Sequence, residues 1–262
     1  MSLFNDRSSR RILAALAAVV AMAWQASIAR ADQREDFLAG RTRACPRCDL
    51  SGMNFKRRDL SGADLSGAIL KDANFHDARL AGARLASADL SGANLNKANL
   101  SRADLAGAKL TEAMLYAANL DAAGLAGADL TDALMGTARL TRSDLSKATL
   151  RNVDLRKARL AEASLTGADL TGAALDLAFL RGARFDGALL VDTRLMGAEL
   201  IGASLVGADL MDADAEGANL RDADLSRAKL ARANFRRANL YETKLDDAVF
   251  SDTTMPDGTT QP

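Results

Sequence analysis

The sequence predicts an all-β solenoid, a coil whose turns stack on one another, and three observations carry that prediction. From Leu50 to Phe250 every fifth residue is a repeat centre: of 41 centres, 34 are Leu, five are Phe (55, 75, 185, 235 and 250), and Met135 and Ala215 complete the set. Two residues before each centre stands Ala, at 34 of 41 positions, the exceptions being Cys48, Met53, Arg58, Ser143, Val153, Thr193 and Thr243. Finally, aromatic residues make up only 4% of a chain that is 48% apolar. A core of Leu and Ala suits a thin, regular object better than a thick-centred globule.

The period of five excludes the simpler elements. An α-helix turns about 100° per residue, so a five-residue step moves each Leu by about 140° and no helical face collects the set. In a straight strand side chains alternate, so an odd period sends successive Leu residues to opposite faces. The pattern is satisfied only if the backbone turns once per repeat. The Ala and the Leu two residues later then point inward, and the two residues after the Leu form a corner.

Repeats of the form A(D/N)LXX, as in "ADLSGANLNKANLSRADLAGAKL", resemble the pentapeptide-repeat proteins, and the resemblance spans residues 48–252. It implies a right-handed quadrilateral β-helix with four repeats per coil, here about ten coils; the period alone does not choose four sides over three. At about 4.8 Å per coil the rod is roughly 50 Å long.

The preceding residues read as an export signal, 1–31: Arg7, Arg10 and Arg11, an apolar run from Ile12 to Trp24, then small residues. Cleavage fits after Ala29 or Ala31. Ser9-Arg10-Arg11 weakly resembles a twin-arginine signal, so the sequence leaves the route, Sec or twin-arginine, open. The run of 13 residues is short of the roughly 18 needed to cross a bilayer, so no stable membrane span is expected in the mature chain. Removing the segment leaves 30 basic and 33 acidic residues. That balance lacks the basic footprint of a nucleic-acid binder, and no nucleic-acid partner is expected.

Cys45 and Cys48, the chain's two cysteines, open the array: Cys45 falls on a centre and Cys48 on an inward Ala position. A thioredoxin-like site needs the pair at the start of a helix in a βαβ unit. Zinc normally needs four ligands, and the chain offers two Cys and His76. In an exported protein adjacent thiols oxidise, so a disulfide that pins the first coil is expected, with free packed thiols or a redox or metal role as alternatives. Residues 32–47 are the amino-terminal cap. Within it, "DQREDFLAGRTRA" is expected to form a short helix with Phe37 and Leu38 on the first coil and Gly40 as its stop. Tyr241, Val249 and Phe250 are expected to plug the far end, and residues 253–262 read as a disordered tail.

The surface offers little chemistry. With one His, a catalytic triad would have to be built around His76, which reads as a solvated corner residue. No cofactor, metal or enzymatic activity is expected. The Asp and Asn residues before the centres lack the paired glycines of RTX calcium sites and read as turn formers and hydrogen-bonding ladders. Two features depart from the bland repeat. Apolar residues occupy outward positions at Leu177, Phe179, Leu189, Val191, Met196, Ile201, Val206 and Met211, a belt that Met114, Tyr116 and Leu134 extend along one side. Such a surface marks a candidate partner site or a site of self-association. Basic residues cluster between Arg139 and Arg159 and between Arg227 and Arg237, read as solvated faces with an anionic surface as the alternative. Arg58 at an inward position is expected to reach water through the open first coil, and Ala215 is expected to mark a gap or bulge.

These features predict a non-enzymatic, exported structural or protein-binding module, a rigid rod presenting side chains to a protein partner in the periplasm or envelope. The family suggests an alternative, since some members mimic duplex DNA and protect DNA gyrase from quinolones. That role requires a cytoplasmic location, a strongly acidic surface and usually a dimer-forming carboxy-terminal helix, which this sequence does not offer.

Overall fold

The computed structural model describes residues 32–262; the expected export signal lies outside the described residues. The outward residue before each centre forms a parallel bridge with the residue twenty positions on, from Ala44 with Asp64 to Asn234 with Thr254. Twenty residues are four repeats, so the coil has four sides. We number the sides by core residue: side 1 carries Phe55, Phe75 and their successors through Ala215 and Phe235; side 2 begins at Leu60, side 3 at Leu65 and side 4 at Leu70.

Each repeat joins its neighbours through regular backbone bonds. Leu105 N–H donates to the Gly124 carbonyl at 2.7 Å, Asp104 N–H to Ala83 at 2.9 Å, and Gly107 N–H to Ala126 at 2.9 Å. Ala108 N–H closes the corner by donating to Leu105 at 3.0 Å. The second corner residue has a left-handed backbone, φ +62° at Gly107 and 57° at Arg102. A turn with positive φ at its third residue favours Gly. Most repeats nevertheless carry another residue type there, and the continuous ladder holds them in place.

The Asp or Asn before each centre is explained locally. Its side chain accepts the backbone N–H two residues on, and where that residue is Ser or Thr it accepts the hydroxyl as well: Asp64 with Ser66 Oγ at 2.7 Å, Asp129 with Thr131 Oγ1 at 2.7 Å. The consensus thus fixes the corner before any coil stacks. Inside, the Leu and Ala columns are buried as far as Ala238, and in the last coil Leu240, Leu245 and Ala248 are half-buried.

Both ends are closed. A short helix, α1 (32–38), lies over the first coil with Phe37 fully buried, its ring edge-on to Phe55 at 5.9 Å, and Phe55 stacks on Phe75 at 5.0 Å. Arg58 does not reach for water. Its Nη2 donates to the carbonyls of Phe37 at 2.7 Å and Leu38 at 3.0 Å at the end of α1, where Phe37 also accepts the Gly40 N–H at 3.0 Å and Leu38 accepts no backbone N–H among the described residues. At Ala215 the expected bulge is missing: Leu195 N–H donates to Asp214 at 2.7 Å and Ala215 N–H to Asn234 at 2.8 Å, so the ladder runs straight through.

The far end also differs from expectation. Tyr241 and Val249 point outward, and only Phe250 packs against the core. Residues 253–262 are ordered: β1 (Thr253–Thr254) pairs antiparallel with β2 (Thr260–Gln261). Pro256-Asp257-Gly258 makes the turn, Asp257 accepting the Thr259 N–H at 2.9 Å, and Gly258 has φ +85°. Thr253 is buried, its hydroxyl donating to Leu230 at 2.6 Å. The hairpin gives β1 a partner where the ladder would otherwise end on an open edge.

Candidate binding surface

The Sγ atoms of Cys45 and Cys48 lie 2.00 Å apart, at disulfide distance, with the Cα atoms 5.4 Å apart. Both residues are buried beneath α1, an arrangement that pins the start of the array and leaves no sulfur open to a substrate. No group of three or more His, Cys, Asp or Glu side chains is placed to hold a metal ion among the described residues. His76 sits half-buried at a corner, and no described residue hydrogen-bonds its ring. Among the described residues no helix is long and apolar enough to cross a membrane.

The basic clusters are largely compensated within the rod. Arg139 reaches Asp121 at 2.5 Å, Arg142 reaches Glu162 at 2.8 Å, and Arg151 reaches Asp169 at 2.5 Å. Lys229 and Arg232 reach Asp209 and Asp212 at 3.2 and 2.6 Å. Each partner lies 18–20 residues away, which is the adjacent coil. The hydrogen bond from Arg232 holds the Asp212 carboxyl below the usual carboxylate range, and Arg156 does the same for Asp154. Charge therefore runs in coupled ladders and makes no uniform anion-binding face. A shallow groove of about 550 Å³ on the corner between sides 2 and 3 is lined by Arg102, Arg139 and Arg142, with Asp121 among them.

The apolar residues separate by side. Leu177, Phe179, Leu189 and Met196 are exposed, whereas Val191, Ile201, Val206 and Met211 are half-buried. Leu189 lies on side 4, Val191 and Met211 on the corner between sides 4 and 1, Ile201 between sides 2 and 3, and Val206 between sides 3 and 4. Side 1 and its trailing corner hold the densest set: Met114, Tyr116, Leu134, Leu177 and Met196, with Phe179 just beyond the corner. A groove of about 340 Å³ runs between Leu177 and Phe179, floored by Gly197. Arg159 lies over the Phe179 ring at 5.9 Å. Beside them, Asp176 Oδ2 accepts from Arg194 at 2.6 Å, while its buried Oδ1 has no donor among the described residues. Sequence alone singled out the belt but missed Asp176, whose burial depends on the coils either side of it.

A four-sided coil with a closed Leu and Ala core and an outward display of short side chains defines a repeat scaffold of the structural or protein-binding kind. The chain belongs to the pentapeptide-repeat family: the family model for pentapeptide repeats matches in 8 copies between residues 48 and 255. The fold is accordingly the right-handed quadrilateral β-helix of that family. Among solved structures, HetL, a pentapeptide repeat protein involved in heterocyst differentiation regulation in the cyanobacterium Nostoc, is 35% identical over 86% of this chain and 96% of its own, with TM-score 0.47. QnrB1, a plasmid-mediated fluoroquinolone resistance protein, is 18% identical over 76% of this chain and 87% of its own, with TM-score 0.47. A pentapeptide repeat protein of the Arabidopsis thaliana thylakoid lumen is 35% identical over 44% of this chain and 70% of its own, with TM-score 0.30. No curated protein matches the chain.

Proposed function

We propose that this chain is a non-enzymatic, exported scaffold, a rigid rod that presents a fixed surface to a protein partner in the periplasm or envelope. The observation that carries the reading is the contrast on the surface. Charges are mostly matched between neighbouring coils, while large apolar side chains stand exposed on side 1 and its corner. A matched charged surface is inert toward anions, and an exposed apolar set on a rigid support is what a protein partner buries. The export half of the reading is supported by the arginines and apolar run of residues 7–24 and by cysteines placed at disulfide distance.

Fractionation of the native host, with the amino terminus and thiol state determined by mass spectrometry on the same sample, tests it. The expected result is a chain beginning at Arg30 or Asp32, outside the cytoplasm, with Cys45 and Cys48 oxidised. An uncleaved, reduced, cytoplasmic chain would overturn the export reading and favour a cytoplasmic role such as gyrase binding.

A further inference from the structure

We propose that α1 is a gate over the Cys45–Cys48 pair: an external dithiol reduces the disulfide only while α1 is lifted, so the side chains that seat α1 set how fast the protein answers a reductant. The inference goes beyond the scaffold reading and does not depend on any partner.

The sulfurs can be approached from the rod interior, from the corner or from the end of the rod. In the interior, the positions stacked on Cys45 and Cys48 one coil on are Leu65 and Ala68, both fully buried. At the corner, the backbone of Pro46-Arg47 stands between the pair and solvent and is tied to the next coil: Cys45 N–H donates to Asp64 at 2.8 Å and Arg47 N–H to Ser66 at 2.9 Å. The end of the rod is left, and α1 lies across it. Cys45 and Cys48 are 0% and 2% exposed, and Cys45 Sγ lies 3.8 Å from the Gln33 carbonyl of α1.

Little holds this lid down. A helix spanning only residues 32–38 is too short to persist by itself, and Phe37 is its single buried side chain. Arg34 Nε donates to the Asp49 carbonyl at 2.8 Å, Gln33 Nε2 to the Ala44 carbonyl at 3.5 Å, and Arg58 reaches out of the first coil to the carbonyls of Phe37 and Leu38. Lifting α1 breaks these contacts and leaves every bond between coils intact. Such a local opening costs far less than the unfolding that either other approach would require.

Once the end is open, one thiolate of the dithiol attacks a cysteine sulfur, the Cys45–Cys48 bond breaks, and the other cysteine leaves as a thiolate. The second thiol of the reductant then attacks the mixed disulfide, frees the first cysteine and closes the reductant into a cyclic disulfide. Two electrons and two protons pass from the dithiol to the pair. Because opening precedes attack, the observed rate is that of an unshielded disulfide multiplied by the open fraction. Whatever lifts α1 licenses reduction, and whatever seats it protects the pair.

Treating the mature chain, with the pair oxidised, with dithiothreitol and counting free thiols by mass spectrometry tests the gate. Native-state exchange at the Ala39 and Arg41 amides reports α1 on the same samples, urea-unfolded chain supplies the unshielded rate, and circular dichroism confirms that each variant is folded. The expected result is that the wild type is reduced more slowly than the unfolded chain by the factor that protects those two amides. Arg58→Ala removes two charge-donated hydrogen bonds and should raise both rates together by about 10²- to 10³-fold. Arg34→Ala removes one and should raise both by about 10-fold. Arg232→Ala, which breaks a pair with Asp212 at the far end, should change neither. A wild type reduced as fast as the unfolded chain, a change in one rate without the other, unchanged reduction in both Arg58→Ala and Arg34→Ala, or acceleration by Arg232→Ala would overturn the inference.

Discussion

Replacing Arg58 with Ala should release the amino-terminal cap while leaving the rod folded. Arg58 occupies a position that the repeat gives to Ala, and its guanidinium ties together three elements. Nη2 donates to two carbonyls at the end of α1, at 2.7 and 3.0 Å, and the guanidinium carbon lies 5.6 Å from the Phe37 ring and 5.7 Å from the Phe55 ring. A cation at a helix carboxy-terminus also complements the helix dipole. Hydrogen bonds from a charged donor contribute about 1.5–3 kcal/mol each, and Arg58 is half-buried, so the lower end applies and the two give about 3 kcal/mol. The ring contacts add about 0.5–1 kcal/mol. The sum, about 3–4 kcal/mol, corresponds to a rise of roughly 10²- to 10³-fold in the population with the cap undocked. Native-state hydrogen exchange resolves this, because the Ala39 and Arg41 amides, bonded to Glu35 and Asp36, report the cap, and Leu130 and Leu150 report the middle of the rod. Arg58→Lys should fall between, since one ammonium cannot reproduce the fork. Unchanged exchange at Ala39 and Arg41 in Arg58→Ala would refute the reasoning, as would equal acceleration in the middle of the rod.

Three further outcomes are expected. Reducing Cys45–Cys48 should cost about 2 kcal/mol or less, because the closed loop is short, and the loss should appear as faster exchange at the first coil with the β signal in circular dichroism retained. Ala215→Leu should stabilise the rod by up to about 2 kcal/mol, judged from three added buried carbons, because the backbone has kept normal coil spacing around the small residue; a lower urea midpoint would mean that neighbouring side chains already fill the space. Acid should weaken the fold below about pH 5. Asp64 and Asp224 have carboxyls held below their ordinary value, first by the Ser66 and Ser226 hydroxyls. A depressed folded value stabilises above the unfolded value and is lost as pH falls through the folded one. Stability measured by urea titration should therefore be flat from neutral pH down to about pH 5 and then decline; a decline beginning above pH 6 would implicate a different group.

The core was legible because its signal is strictly periodic. Once Leu50, Phe55 and Leu60 are seen as successive centres, burial of every later centre follows with only the last coil frayed. The number of sides came from family resemblance, since the period constrains the corner but says nothing of closure; the twenty-residue bridge spacing supplies it. Arg58 misled because its partners are backbone carbonyls of α1, and a carbonyl leaves no mark on a sequence. The hairpin over 253–262 was partly legible after all. Thr253 and Met255 continue the inward register and Pro256-Asp257-Gly258 is a turn signature, but the polar composition masked both. The apolar belt looked continuous along the chain and divides among sides only when residue numbers are taken modulo twenty. Left-handed backbone at Leu177 and Thr137 could be inferred from corner position, whereas the glycine beneath Leu177 matters only because Gly197 lies one coil on.

The twenty-residue coil makes residue number an angular coordinate. Removing five residues anywhere in the array would shorten the rod by a fraction of a coil and advance everything downstream by a quarter turn, carrying Leu177 and Met196 to the neighbouring side while leaving each local corner intact. Removing twenty would preserve every azimuth and change only the length. Slips of one repeat, which the fold tolerates best because each repeat is interchangeable with the next, are therefore the ones that scramble the address of every outward side chain. A family of such rods can vary length freely in steps of four repeats, and its surface patterns survive only in that phase.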